Sequence, residues 1–260
     1  MQQNYLITIF LSEEFDFKLM EVFMGRRKRC WVDAASYHIT HRCHGKNFLF
    51  RFEKYRNYYV QKLYEAQCKY NIDIFNYVVT SNHIHLLVSA RKSENISRAL
   101  QFVHGSMALF HNRERHEEGA FWTDRFHSTR IQDGEHLVHC LFYIDLNMVR
   151  AKVVTHPSKW KHCGHHELMH PNNRYRIINR QRLLEKLAIP DMKSFERWYI
   201  RVLSEKLSTK SYRQQFWSKA IAVGDDEWLK ATAIKMGIKR YKIFEHENSK
   251  INFLGGALLF

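Results

Sequence analysis

The sequence predicts an α+β protein built on an antiparallel sheet with helices on one face. Three observations point there. Short runs alternate apolar and polar side chains, longer runs repeat apolar residues at three and four, and the two kinds follow one another as strand, helix, hairpin, helix, strand, helix. A chain of 260 residues is also long enough to bury a core without disulfide or metal staples.

Ala35 to Cys43 alternates and is rich in strand formers, which gives the first strand. Phe52 to Tyr70 sets Tyr55, Tyr59, Leu63 and Ala66 along one side of a helix. Ile72 to Val79 and His83 to Ala90 read as two strands joined by the polar turn Thr80-Ser81-Asn82. A second helix spans Ser97 to Asn112, with Ile96, Leu100, Val103, Met107 and Phe110 inward and Ser93 to Asn95 as caps. Phe121 to Ile131 is a short basic and aromatic strand or loop, and Asp133 starts a helix that runs through Tyr143 to about Val149 or Val153, with Leu137, Leu141, Ile144 and Met148 inward.

The composition changes after His156-Pro157, and a boundary is expected near residue 170. Residues 171–260 read as a helical, basic region anchored by Trp198, Tyr199, Phe216, Trp217 and Trp228. Residues 1–23 read as an N-terminal extension, and Met24 before Arg26-Arg27-Lys28-Arg29 looks like an alternative start, so 24–170 is the principal domain.

Lys plus Arg total 41 against 26 Asp plus Glu, a net charge of +15. That excess favours a polyanionic partner. Nucleic acid comes before membrane, because no apolar run approaches the roughly 20 residues that a bilayer span needs. The five cysteines contain no Cys-x-x-Cys pair, which argues against a disulfide framework or a four-cysteine zinc site and fits a reducing cytosol. The apolar stretch from Tyr5 to Leu11 has neither a basic region before it nor a small-residue cleavage site after it, so it does not read as a signal peptide.

Two stretches carry chemistry. His83 and His85 are separated by one residue in a strand, so both imidazoles point to one face and can grip a single divalent cation. Alone, such a pair reads equally as polar side chains on a wet face. Sixty residues on, Tyr143 and Asn147 lie four apart on a helix and share an edge. A phenol can attack a phosphate, and an Asn carboxamide offers a neutral oxygen to a hard cation; a core tyrosine with a satisfied hydroxyl is the plain alternative.

Together these stretches resemble the single-tyrosine HUH transposase family, which includes insertion-sequence transposases and their relatives associated with repetitive extragenic palindromes. The resemblance rests on Ser36-Tyr37-His38-Ile39-Thr40, His83-Ile84-His85, Phe121 to Ser128, and Tyr143 to Ala151. It extends more weakly to Phe216-Trp217-Ser218 and Ala222-Val223-Gly224. It implies a ferredoxin-like catalytic domain and a transposase that cleaves and rejoins single-stranded DNA at hairpin-flanked sites through a 5′-phosphotyrosine. Tyr143 would be the nucleophile, with Mg or Mn held by His83, His85 and Asn147. Met148 stands where the family usually has proline, as does Ser81, and neither replaces a chemical group.

The resemblance also leaves open a homodimer in which Tyr143 serves a partner's histidines. A relaxase-type nickase is a neighbouring reading, though Tyr143 has no second tyrosine at helical spacing. A domesticated, non-catalytic DNA-binding regulator is another. Candidate DNA contacts are Arg26, Arg27, Lys28 and Arg29, then Arg125, His127 and Arg130, expected along one face with Trp122 as a neighbour, and finally Arg150.

Overall fold

The computed structural model describes residues 29–170, 175–209, 214–239, 241–246 and 251–256. Residues 1–23, Met24 and the candidates Arg26, Arg27 and Lys28 lie outside them.

The chain first lays down β1 (Ser36–Arg42), α1 (Glu53–Tyr70), β2 (Ile72–Val79), β3 (His83–Ala90), α2 (Glu94–Arg115) and β4 (His127–Ile131). In space the strands run β2-β3-β1-β4, with every pair antiparallel. That order is the ferredoxin-like one, in which α1 spans the position that β3 fills and α2 spans β1. The apolar repeat of α1 buries the side chains expected of it, Tyr55, Tyr59, Leu63 and Ala66. Each large side chain so buried stabilises by roughly 1.5–3 kcal/mol, which is why helix α1 needs no strong intrinsic propensity.

β-strand parity sorts side chains between the two faces. Tyr37, Ile39 and His41 oppose Val88, Leu86 and Ile84 in register and share the face covered by α1 and α2. His38, Thr40 and Arg42 oppose Leu87, His85 and His83 and share the other. The two crossover helices thus lie on one face, as expected. The next helix, α3 (Glu135–Asp145), packs on the opposite face, where the Tyr143 ring meets His38 and His85.

Helix α3 begins later than expected. Asp133 is drawn off by Ser36 Oγ at 2.6 Å and Lys186 Nζ at 2.6 Å, and Gly134 turns the chain at φ 85° before Glu135. The second helix is longer than expected at both ends, and Ser93 before it donates its hydroxyl to Asp33 rather than capping. Without a proline at 148 the Tyr143 helix was expected to run on, yet it breaks at Leu146 (ψ 3°) before the four-residue α4 (Asn147–Arg150).

A short helix, α5 (Gly164–Met169), precedes the expected boundary; the part beyond it was expected to be helical, and it does supply α6 (Arg180–Leu187), α7 (Met192–Ser208) and α8 (Asp226–Lys235). It also adds three strands, β5 (Ala222–Val223), β6 (Tyr241–His246) and β7 (Ile251–Gly256). They extend the sheet to seven strands, β5 running parallel to β4 and the final pair antiparallel. Alternation in these runs is short or interrupted by glycine, so the β signal is weak in the sequence. The main core is continuous from Tyr37 to Ile251 and takes in Tyr199, Phe216 and Trp217, while Trp198 and Trp228 are half-buried.

Candidate active site

The turn before the histidine pair is stitched by Thr80. Its Oγ1 donates to the His83 carbonyl at 2.8 Å and accepts from the His83 amide at 3.1 Å. With that hydroxyl proton committed, His83 Nδ1 donates to Asn82 Oδ1 at 2.7 Å, with Thr80 Oγ1 3.0 Å away. A neutral His83 then carries its lone pair on Nε2. The two histidine rings of the pair lie 5.0 Å apart, nearly perpendicular.

His85 is buried and bonds through Nδ1 to His38 Nε2 at 2.9 Å, while His38 Nδ1 reaches the Trp217 carbonyl at 3.0 Å. Burial holds His85 well below the usual histidine range and takes His38 down to about 3. Both rings are therefore neutral at pH 7.

Tyr143 enters from α3 and is only 7% exposed. Its ring stands edge-on to His85 at 5.8 Å and to His38 at 5.9 Å, with Trp217 tilted against it at 5.5 Å. Arg150 covers it as well, its guanidinium carbon 4.0 Å from the ring centroid and Nη2 donating to the Tyr143 carbonyl at 2.6 Å. The break at Leu146 lets Arg150 fold back on that carbonyl. Expected as a DNA contact, Arg150 instead steadies Tyr143.

The same break is fixed from behind by Asp145. Its buried carboxylate accepts from the Tyr199 hydroxyl at 2.7 Å and from Asn76 Nδ2 at 3.0 Å, and burial raises it to about 6. Gly164 is required beside this cluster, because a β-carbon there would stand 1.9 Å from Asn76 Oδ1.

The structure thus gathers His83, His85 and Tyr143 of one chain on one sheet face. Asn147 opens α4 just after the break at Leu146 and is half-buried. Imidazoles that present Nε2 lone pairs, together with a carboxamide oxygen such as that of Asn147, would be a donor set suited to a divalent ion that completes its shell with phosphate or water oxygens. Among the described residues no group of three or more His, Cys, Asp or Glu is placed to hold a metal.

The remaining DNA candidates do not form one face. His127 and Arg130 differ in parity: His127 bonds the Ala220 carbonyl, whereas Arg130 reaches Thr232 Oγ1 and lies over Trp228. Trp122 stacks on His41 at 4.1 Å and donates to the His104 carbonyl, so it serves packing. Arg29 lies over Phe126 at 3.7 Å and, with exposed Arg125 and His127, lines a cavity of about 250 Å³. Sequence reasoning missed the roles of His38 and Trp217 although both lie in matching stretches. Their signal was a histidine in phase with His85 on a neighbouring strand, visible only once the register is known.

No curated protein matches the chain. Among solved structures, a REP-associated tyrosine transposase bound to a REP hairpin is 16% identical, covering 59% of this chain and 90% of its own at a TM-score of 0.49. A candidate transposase from Deinococcus radiodurans R1 is also 16% identical, covering 44% of this chain and 91% of its own at a TM-score of 0.34. The profile of the family described as "Transposase IS200 like" matches residues 31–155, a span that holds β1 through α4 with His83, His85, Tyr143 and Asn147. Over that segment, a little under half of its length, the chain is similar to the IS200-like transposase family.

Proposed function

We propose that the protein cleaves and rejoins single-stranded DNA at hairpin-flanked sites, with Tyr143 as nucleophile. The observation that carries this reading is the Tyr143 ring 5.8 Å from His85 of the same chain, on the face that also holds His83. In the proposed step Tyr143 Oη bonds to the scissile phosphorus and the P–O3′ bond breaks. The 3′ oxygen leaves as a hydroxyl and the 5′ phosphate stays on the tyrosine. Attack by another 3′-hydroxyl on that phosphotyrosine rejoins the strand and frees Tyr143, so no nucleotide is hydrolysed. His83, His85 and Asn147 would hold Mg or Mn, whose chemistry when bound is to polarise the phosphate. Arg150 keeps the phenol in place, and basic side chains such as Arg125 meet the backbone.

Because the histidines and tyrosine of one chain already meet, a homodimer is not required to complete the site. The DNA-bound role fits a bacterial cytoplasm, and among the described residues no helix is long and apolar enough to cross a membrane. The test is incubation with a labelled single-stranded hairpin and Mn²⁺. A covalent adduct that disappears in Tyr143→Phe is expected. The depth of Tyr143 beneath Trp217 favours a second reading, a regulator that binds such DNA without cutting it. Tight binding with no adduct under any metal would select that alternative.

A further inference from the structure

We infer that His38 is a positioning residue that fixes the tautomer of His85 through a hydrogen-bonded relay from the Trp217 carbonyl. The inference rests on the reading of His85 as a metal ligand. Its logic begins at the far end. A carbonyl only accepts, so the 3.0 Å contact at Trp217 requires a proton on His38 Nδ1. His38 is fully buried, where a cationic ring would be costly, so its ring carries that one proton alone. Its Nε2 is then a bare acceptor.

His85 must therefore donate from Nδ1 across the 2.9 Å contact, which leaves its lone pair on Nε2. The two rings are parallel within 4° at 5.0 Å between centroids, a spacing compatible with a bond directed along the ring edges. Among the described residues, His85 Nε2 has no hydrogen-bond partner.

The anchoring carbonyl is itself held. Trp217 is fully buried, Thr129 Oγ1 donates to the Ala220 carbonyl at 2.8 Å, and β5 then pairs with β4. A residue of the C-terminal part thus sets which nitrogen of a β3 histidine faces the site. A ring free to flip or change tautomer would present N–H to a cation half the time or more. Partners of this kind usually change metal affinity by about 10–100-fold when removed.

The test uses the full chain. Long-range ¹⁵N–¹H correlation on the metal-free protein should show His38 and His85 both protonated at Nδ1. A His85 ring protonated at Nε2 overturns the inference. Calorimetric titration with Mn²⁺ should show His38→Phe binding about 10–100-fold more weakly. His38→Gln should recover to within a few-fold, since its amide donates to the carbonyl of Trp217 and its oxygen accepts from His85. Equal affinity in wild type and folded His38→Phe overturns the inference. If His38→Phe does not fold, the wild-type tautomer and the Gln variant still decide. If wild type binds no Mn²⁺, the ligand reading falls, while the ¹⁵N spectrum still judges the relay.

Discussion

Strand β1 sends one buried histidine to each face of the sheet, and the two end in different kinds of network. On the α1 and α2 face, His41 Nε2 donates to the Asp124 carbonyl at 2.6 Å, His41 Nδ1 meets His104 Nδ1 at 3.0 Å, and His104 Nε2 meets the Tyr59 hydroxyl at 3.0 Å. That chain is closed at both ends. On the other face, the chain from the Trp217 carbonyl through His38 stops at His85 Nε2, beside Tyr143. Similar imidazoles, equally buried, serve packing where every nitrogen has a partner and chemistry where one lone pair is left over.

Substitutions on the two faces should separate these roles. The largest effect is expected for His85→Ala, which should lower adduct formation on hairpin DNA by about a thousand-fold or more in a folded protein. A folded His85→Ala that still forms the adduct at wild-type rate would remove the open network from the mechanism.

Both networks should fail together in acid. His38 is held near 3 and His41 near 4 by burial, against 6.5 in the unfolded chain. Below 6.5 the unfolded chain therefore binds more protons, so this stability is complete above pH 6.5 and is lost as pH falls toward those folded values. Over that window His38 accounts for roughly 5 kcal/mol and His41 for roughly 3 kcal/mol. Asp145 works the other way. Its folded value near 6 lies above the unfolded 3.8, so acidification from 6 to 3.8 offsets part of the loss. Urea melts between pH 7 and pH 4 should show stability falling, and falling more steeply in Asp145→Asn.

On the closed side, His104→Leu strands the His41 ring and the Tyr59 hydroxyl. We expect a loss of about 2–4 kcal/mol of stability, read as a urea midpoint shift. Adduct yield per folded molecule should stay within about two-fold, and a larger drop would mean that the faces are coupled. The smallest effect is expected for Arg150→Lys, which keeps the charge but loses the flat cover over Tyr143. A fall of about ten-fold in adduct rate with unchanged DNA affinity would support positioning. Weaker DNA binding at unchanged rate would return Arg150 to the phosphate contacts.

The strands and helices from β1 to α3 were legible because their periods are clean: Tyr55, Tyr59, Leu63 and Ala66 recur at helical spacing, and His83 and His85 fall in phase on β3. The later strands β5 to β7 were not, since Ala222–Val223 is too short for a period and Tyr241–His246 and Ile251–Gly256 are stabilised by pairing rather than patterning. The surroundings of the basic candidates were not legible for a related reason. Charge is visible in a sequence, but Arg130 turns toward Thr232 and Arg150 toward Tyr143, and those partners lie on other elements.

By itself the sequence determined the histidine pair, the tyrosine helix and the order of elements that brings them to one sheet, because local spacing dictates strand parity and helical edge. The tertiary structure alone decided which face α3 covers, that the helix breaks at Leu146, and that the Trp217 carbonyl meets His38. These depend on contacts between residues up to 179 apart in the chain, where burial, and not local spacing, selects the hydrogen-bond partner.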